Sequence, residues 1–349
     1  MDETKDEVRH SAVPSHALVV APEPPALAGM ATASREWEKV HQLALKSLDR
    51  FMSLEPKVLQ GDDREAVHDM RVASRRLQQI LDLIYPAPPK AIRRLRRKIR
   101  CSRGALSGVR NCDVQLDRVE TVLGNKRVAH RQAWEAVKEY LRERRAEAFD
   151  KALGRLSKVN LAVFYVRLKS HLTSNGAHPQ ANGGTRAIPE ALSSEEFYQR
   201  IHHGLETVWG DFEARIEESR HDSQPQVIHG VRLAAKRLRY AAEVIREFNM
   251  PGTEAAVTWL RNLQQQLGDW HDLEVLEEML IEMVARPAFL REHLGVAMEV
   301  EKLILRNRTA KKTYLGRFAR MTRDDAGIER IQQWVNQTLS APPEVFAAA

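Results

Sequence analysis

An all-α fold is predicted by three features of the sequence: apolar residues recur at helical spacing along most of its length, no stretch alternates as a strand does, and short Pro, Gly or Asn breaks separate the periodic segments. A duplicated motif organises the chain, because His68, Arg71 and Arg75 each lie 161 residues before His229, Arg232 and Lys236. Residues at i, i+3 and i+7 share one helix face, so each copy presents a histidine and two cations as a stripe. Amphipathic helices with short connections pack as antiparallel bundles. The expectation is two pseudo-symmetric antiparallel four-helix bundles produced by an internal duplication.

Residues 1–31 combine mixed charge with Pro14, Pro22, Pro24 and Pro25, which predicts a flexible extension. The acidic start, Met1 to Glu7, lacks the basic-then-apolar pattern of a signal peptide. No apolar run approaches the roughly 18 residues of a membrane-crossing helix. A soluble cytoplasmic protein with no membrane partner is therefore expected.

Thr32 or Ser34 can cap a helix running to about Leu54, with Trp37, Val40, Ala44, Leu48 and Phe51 on one side. The same offset carries these five onto Tyr198, Ile201, Leu205, Trp209 and Phe212, so the repeat is wider than the basic motif. The first motif helix is expected over 63–84, with Val67, Met70, Leu77, Leu81 and Ile84 apolar, and Pro86, Pro88 and Pro89 stop it. A helix from Lys90 to about Leu106 follows. Ser107–Val114 and its counterpart Gly268–Val275 read as short turns entering a helix, with Asn111 and Asp272 as caps and Asp113 and Glu274 in the first turn.

Helices over 126–153 and 159–172 complete the first bundle, residues 32–172. Asn175, Gly176, Pro179, Asn182, Gly183, Gly184 and Pro189 mark a linker over 173–193. The second bundle, 194–340, repeats the plan with helices near 194–218, 224–248, 254–267, 273–284, 287–309 and 326–339. Ile228, Val231, Ala235, Leu238, Ala242 and Ile245 form the buried side of its motif helix. Past about residue 285 the fixed offset is expected to fail.

Fifty-four basic and forty-seven acidic residues leave a net charge of +7, which points to a polyanionic partner only if it is concentrated. It is: Arg93, Arg94, Arg96, Arg97, Arg100 and Arg103 stand with Lys98 in one run without a carboxylate. Like charges one helical turn apart repel by roughly 0.2–0.5 kcal/mol per pair, a cost that a bound anion relieves. Cys101 and Cys112 are too few for a disulfide framework or a thiolate metal site, and no cofactor is expected. The pairs around Arg142–Arg145 and Lys311–Lys312 are weaker candidates, since Glu139, Glu143 and Glu147 can neutralise the first.

A phosphate chain carries charge on every unit and needs several donors in register, with arginine favoured because its rigid fork bridges two oxygens. The candidate contacts are His68, Arg71, Arg75, Arg76, Arg93, Arg96, Arg97, Arg100, Arg103, Arg110, His229, Arg232, Lys236, Arg237 and Arg239. No residue is assigned a catalytic or metal-binding role.

Val67 to Leu77 and Ile228 to Tyr240 resemble the two signatures of the CHAD family, the conserved-histidine α-helical domain, and Leu263 to Asp272 resembles its second-half pattern. The resemblance covers about residues 32–338. It implies two pseudo-symmetric four-helix bundles whose basic central surface binds inorganic polyphosphate, often at polyphosphate granules. On that resemblance His68, Arg71, Arg75, His229, Arg232, Lys236 and Arg239 line the site. Where the family has Leu-Gly-x-x-Arg-Asp, this chain has Leu106-Ser107-Gly108-Val109-Arg110-Asn111, keeping the arginine and exchanging the aspartate.

Three other readings compete. A nucleic-acid backbone would satisfy the same cations, but no basic face is interleaved with aromatics for stacking. A polyphosphate-processing enzyme would need a metal or a nucleophile; Asp69 points about 100° away from His68 around the helix, and no phosphate-cradling Gly-rich loop is present. The motif faces could instead build a homodimer.

Overall fold

The computed structural model describes residues 35–85, 87–173, 194–323 and 326–342. The expected extension at 1–31, the tail beyond 342 and, apart from Thr173, the expected linker at 173–193 lie outside these residues. Among the described residues the structure is all-α. Thirteen helices follow in order: α1 (Arg35–Ser53), α2 (Glu55–Gln60), α3 (Arg64–Ile84), α4 (Lys90–Ala105), α5 (Ser107–Gly124), α6 (Arg131–Val159), α7 (Leu161–Thr173), α8 (Ser194–His221), α9 (Pro225–Arg246), α10 (Thr253–Val284), α11 (Pro287–Glu292), α12 (Leu294–Arg323) and α13 (Ala326–Leu339).

Local sequence accounts for the boundaries. Asp63 caps α3, accepting from the Ala66 N–H at 2.9 Å, and Pro225 opens α9, where its missing N–H costs nothing. Asn160 adopts a left-handed φ of 51° between α6 and α7, and its Oδ1 accepts from the Val163 N–H at 3.1 Å. One residue therefore ends one helix and caps the next. Gly61, at φ 84°, turns the chain from α2 into α3 with the Phe149 ring so close that an added Cβ would stand 2.7 Å from it.

Shifting α3 by 161 residues gives 225–245, nearly the span of α9. The same shift places α6 on 292–320 and α7 on 322–334, close to α12 and α13. The fixed offset does fail past residue 285, as expected, since α12 starts two residues and α13 four residues later than the shifted α6 and α7, while the helix lengths of 29 and 30, and of 13 and 14, residues hold. Helices equivalent under the shift also touch each other, α1 with α8, α3 with α9 and α5 with α10.

Apolar burial does not assign one core to each copy. The larger cluster joins α1, α3, α4 and α7 to α8, α9, the first half of α10 and α13, through residues such as Leu48, Leu77, Phe164, Leu238 and Leu260. The smaller joins α5 and the first half of α6 to the later part of α10 and α12, through Leu116, Val137, Leu280 and Val300. Each cluster thus takes helices from both copies.

The turn expected at Gly268–Val275 is absent, and α10 runs unbroken through it. Leu263, Leu267, Trp270 and Leu273 stay in helical phase and are buried, which outweighs the roughly 1 kcal/mol penalty of Gly268. In the first copy only Leu106 interrupts the helix, so Asn111 and Asp113 lie within α5 instead of at its cap. Of the opening stripe of the second copy, Ile201, Leu205, Trp209 and Phe212 are buried and Tyr198 is half-buried, while its neighbour Phe197, outside the expected stripe, is buried.

Candidate anion-binding site

The apolar side of each motif helix fixes its rotation. Val67, Met70, Ser74 and Leu77 of α3 are buried, as are Ile228, Val231, Ala235 and Leu238 of α9. This turns His68, Arg71 and Arg75 toward His229, Arg232 and Lys236, because α3 and α9 pack on each other. The cations act on one another across the contact: Arg71 and Arg75 both repel Lys236, and Arg75 repels Arg232.

Arg110 and Arg118 of α5, Arg103 of α4, and His271 and Asp272 of α10 complete the cluster. His229 and His271 have ring centroids 5.3 Å apart. Under the repeat offset His271 is the counterpart of Arg110 and Asp272 that of Asn111. The motif reading missed His271 and Asp272, although the offset applied to Arg110 would have found the first. Arg118 has no such signal, since its counterpart is Met279.

Burial and mutual repulsion set the protonation of the cluster. Burial, reinforced by Arg232, Arg75, Arg71 and Arg239, drives the Lys236 amine down to about 6. The Arg71 guanidinium falls to about 10 through burial and then Arg75, Arg103, Arg110 and Arg232. Burial, then Arg232, His229 and Lys236, take His271 to about 4. His68 and His229 are also lowered by burial first, then by Arg110 for His68 and by Arg232 for His229. Asp272 is raised by burial, against which Arg232 acts.

Some of the cations are held by protein groups. Arg71 donates from Nη1 to the Arg103 carbonyl and to Ser107 Oγ, each at 2.6 Å, and Arg103 donates from Nη2 to Gln78 Oε1 at 2.8 Å. Arg75, Arg110, Arg232 and Lys236 make no side-chain hydrogen bond or ion pair among the described residues, and the buried Arg110 Nη1 and Arg232 Nε lack an acceptor. Asp272 acts on Arg232 and Arg110 without bonding either; basic groups this buried and without an acceptor are costly, and an anion placed among these four would satisfy them.

Other sequence-predicted residues stand elsewhere. Arg96 is buried and taken up by Asp82 at 2.5 Å and the Leu81 carbonyl at 2.9 Å. Arg237 faces Asp211 at 3.2 Å, and Arg239 bonds Glu243 at 3.1 Å while stacking over Tyr240. Arg76 lines a separate cavity between α1, α3 and α9 with Arg50, Asp69 and Glu243. Arg93, Arg97 and Arg100 are exposed on α4. Arg145 is neutralised by Asp113, at 2.6 Å, instead of by the neighbouring glutamates, and Lys311 pairs with Glu274 and Glu277 at 2.6 Å.

Among the described residues no helix is long and apolar enough to cross a membrane. The model of the CHAD domain matches residues 42–281. The crystal structure of the CHAD domain from the plant Ricinus communis superimposes with a TM-score of 0.54 at 21% identity, covering 87% of this chain and 92% of that one. PptA from Streptomyces chartreusis superimposes with a TM-score of 0.53 at 14% identity, covering 87% and 99%. At such identities the likeness establishes a shared fold. No curated protein matches the chain.

Proposed function

We propose, from the premise that this chain belongs to the CHAD domain family, that it binds inorganic polyphosphate in the basic cluster between α3 and α9. The family's association with polyphosphate supplies the ligand class. The observation that carries the reading for this chain is the set Arg75, Arg110, Arg232 and Lys236, half-buried basic side chains with no hydrogen-bonding or ion-pairing partner among the described residues. His68, Arg71, Arg103, His229 and His271 surround them as further donors. The reading includes two repeat-related bundles flanking the site, and a cytoplasmic protein that polyphosphate recruits to granules.

CHAD domains are binding modules, and the site chemistry agrees with binding without turnover. Burial and Arg110 outweigh the pull of Glu65 and Asp69 at His68, burial and Arg232 lower His229, and neither ring is hydrogen-bonded to a carboxylate among the described residues, so neither has the oriented partner of an activated nucleophile or acid. Asp69 is engaged by Arg50 at 2.5 Å.

Titration calorimetry with polyphosphate and with orthophosphate tests the proposal. Polyphosphate is expected to bind far more tightly, with affinity falling as salt rises. Equal affinity for the two overturns it. Duplex DNA that competes at equal affinity would assign the site to a nucleic-acid backbone.

A further inference from the structure

The α4 helix leaves the basic cluster at Arg103 and runs back to its N-terminus at Lys90. Arg100, Arg97 and Arg93 follow at spacings of three and four residues, so the three share an arc of about 60°, lie about 60° to 120° around the axis from Arg103, and extend the basic surface about 15 Å along the helix from it. All three are exposed, and their side chains form no hydrogen bond or ion pair among the described residues. Asp82, whose charge acts on Arg100, is already engaged by Arg96 at 2.5 Å. The first turn of α4 carries no acid and its N-cap, Pro89, offers no side-chain acceptor, so the positive helix end adds to the same field.

The second copy has no such track. The residues equivalent to Arg93, Arg97, Arg100 and Arg103 are Glu254, Thr258, Arg261 and Gln264. Arg246 bonds Glu254 at 3.4 Å, Glu243 holds Arg261 at 3.4 Å, and Gln264 donates to the Ala235 carbonyl at 2.8 Å. Of these two equivalent segments, only α4 carries unpaired positive charge away from the central cluster.

Resting on the polyphosphate reading, we infer that α4 is an exit rail: a linear polyphosphate held in the central cluster continues past Arg103 over Arg100, Arg97 and Arg93, making the protein selective for long chains. A short oligophosphate fills the cluster and ends before the rail. Exposed ion pairs are individually weak, and three of them together add about tenfold to the affinity of a chain that reaches them.

The test titrates the full chain and the Arg93→Gln/Arg97→Gln/Arg100→Gln variant with tripolyphosphate and with long-chain polyphosphate at two salt concentrations. Exposed glutamines keep the helix, which circular dichroism checks. Long-chain affinity should fall about tenfold and its log–log salt slope should flatten by about two, while tripolyphosphate affinity holds. Equal loss for both ligands, or no loss for the long chain, overturns the rail. Arg232→Gln separates the two claims: it should weaken both ligands. If it spares the long chain, α4 binds alone and no chain passes from the cluster onto it. If wild-type protein binds long chains no better than orthophosphate, the function itself fails and the rail with it.

Discussion

Arg103 donates to Gln78 Oε1 at 2.8 Å, and the two equivalent positions in the second copy carry the exchanged residues, Gln264 and Arg239. The exchange moves one arginine from the α4 type of helix to the motif helix without changing the charge of the copy. It also changes what that arginine does, since Arg239 bonds Glu243 while Arg103 remains beside Arg75. The basic cluster is therefore unequal between the two copies, with Arg71, Arg75, Arg103 and Arg110 from the first and Arg232, Lys236, Gln264 and His271 from the second. Of these residues, Lys236 and His271 are the ones brought within reach of titration near or below neutral pH, and both come from the second copy.

Replacing Arg232 by Gln should separate affinity from stability. Its Nε is buried without an acceptor and its charge depresses Lys236 and His271. Loss of a charge-assisted contact of about 1.5–3 kcal/mol lowers polyphosphate affinity about 10- to 100-fold. Thermal unfolding of the free protein should move upward, because a repulsive partner has gone. A lowered melting temperature with unchanged affinity would give Arg232 a structural role.

Binding should take up a proton. The Lys236 amine titrates near 10.5 when unfolded and about 6 when folded, so between these values the unfolded chain holds the extra proton and the stability of the free protein rises with pH. The destabilisation is fully present below about 6. A bound polyanion restores the charged amine, so near pH 8 calorimetry in buffers of different ionisation enthalpy should report proton uptake, and Lys236→Arg should remove it. Uptake unaltered in that variant places the titrating group elsewhere.

His271 gives a second window. Its imidazole titrates near 6.5 when unfolded and about 4 when folded, so the unfolded chain again binds more protons between these values and stability falls as pH drops through that range. His271→Gln should flatten the melting temperature profile between pH 4 and 6.5, as measured by calorimetric scans. A profile that keeps its slope assigns the acid sensitivity to another group.

Arg145→Ala should unfold the protein more readily without touching the site. Asp113 is 0% exposed, with Arg145 at 2.6 Å as its close partner, and Arg145 also donates to the Gly61 carbonyl at 2.8 Å. Removing one member of a buried pair strands the other charge and costs about 3–5 kcal/mol. Denaturant titration reads this directly. Polyphosphate affinity of the folded fraction should stay at the wild-type value, the reverse of the pattern at Arg232.

Much of the fold was legible in the sequence because helical period and repeat offset are properties of neighbouring residues and of simple translation along the chain. The two stripes, their buried backs and the correspondence of α3 with α9 needed nothing more. Partner choice was legible only for pairs within one helix, such as Arg239 with Glu243, because the remaining counter-ions are delivered by other helices. Arg96 and Arg103 look alike in one basic run, yet α3 sets Asp82 beside the first and Gln78 beside the second. Arg145 sits among glutamates in sequence and is neutralised by Asp113 from α5. Local periodicity determined which faces are basic; only the docking of helices decided which cations are left without a counter-ion, since desolvation and pairing depend on distances that the order of residues does not contain.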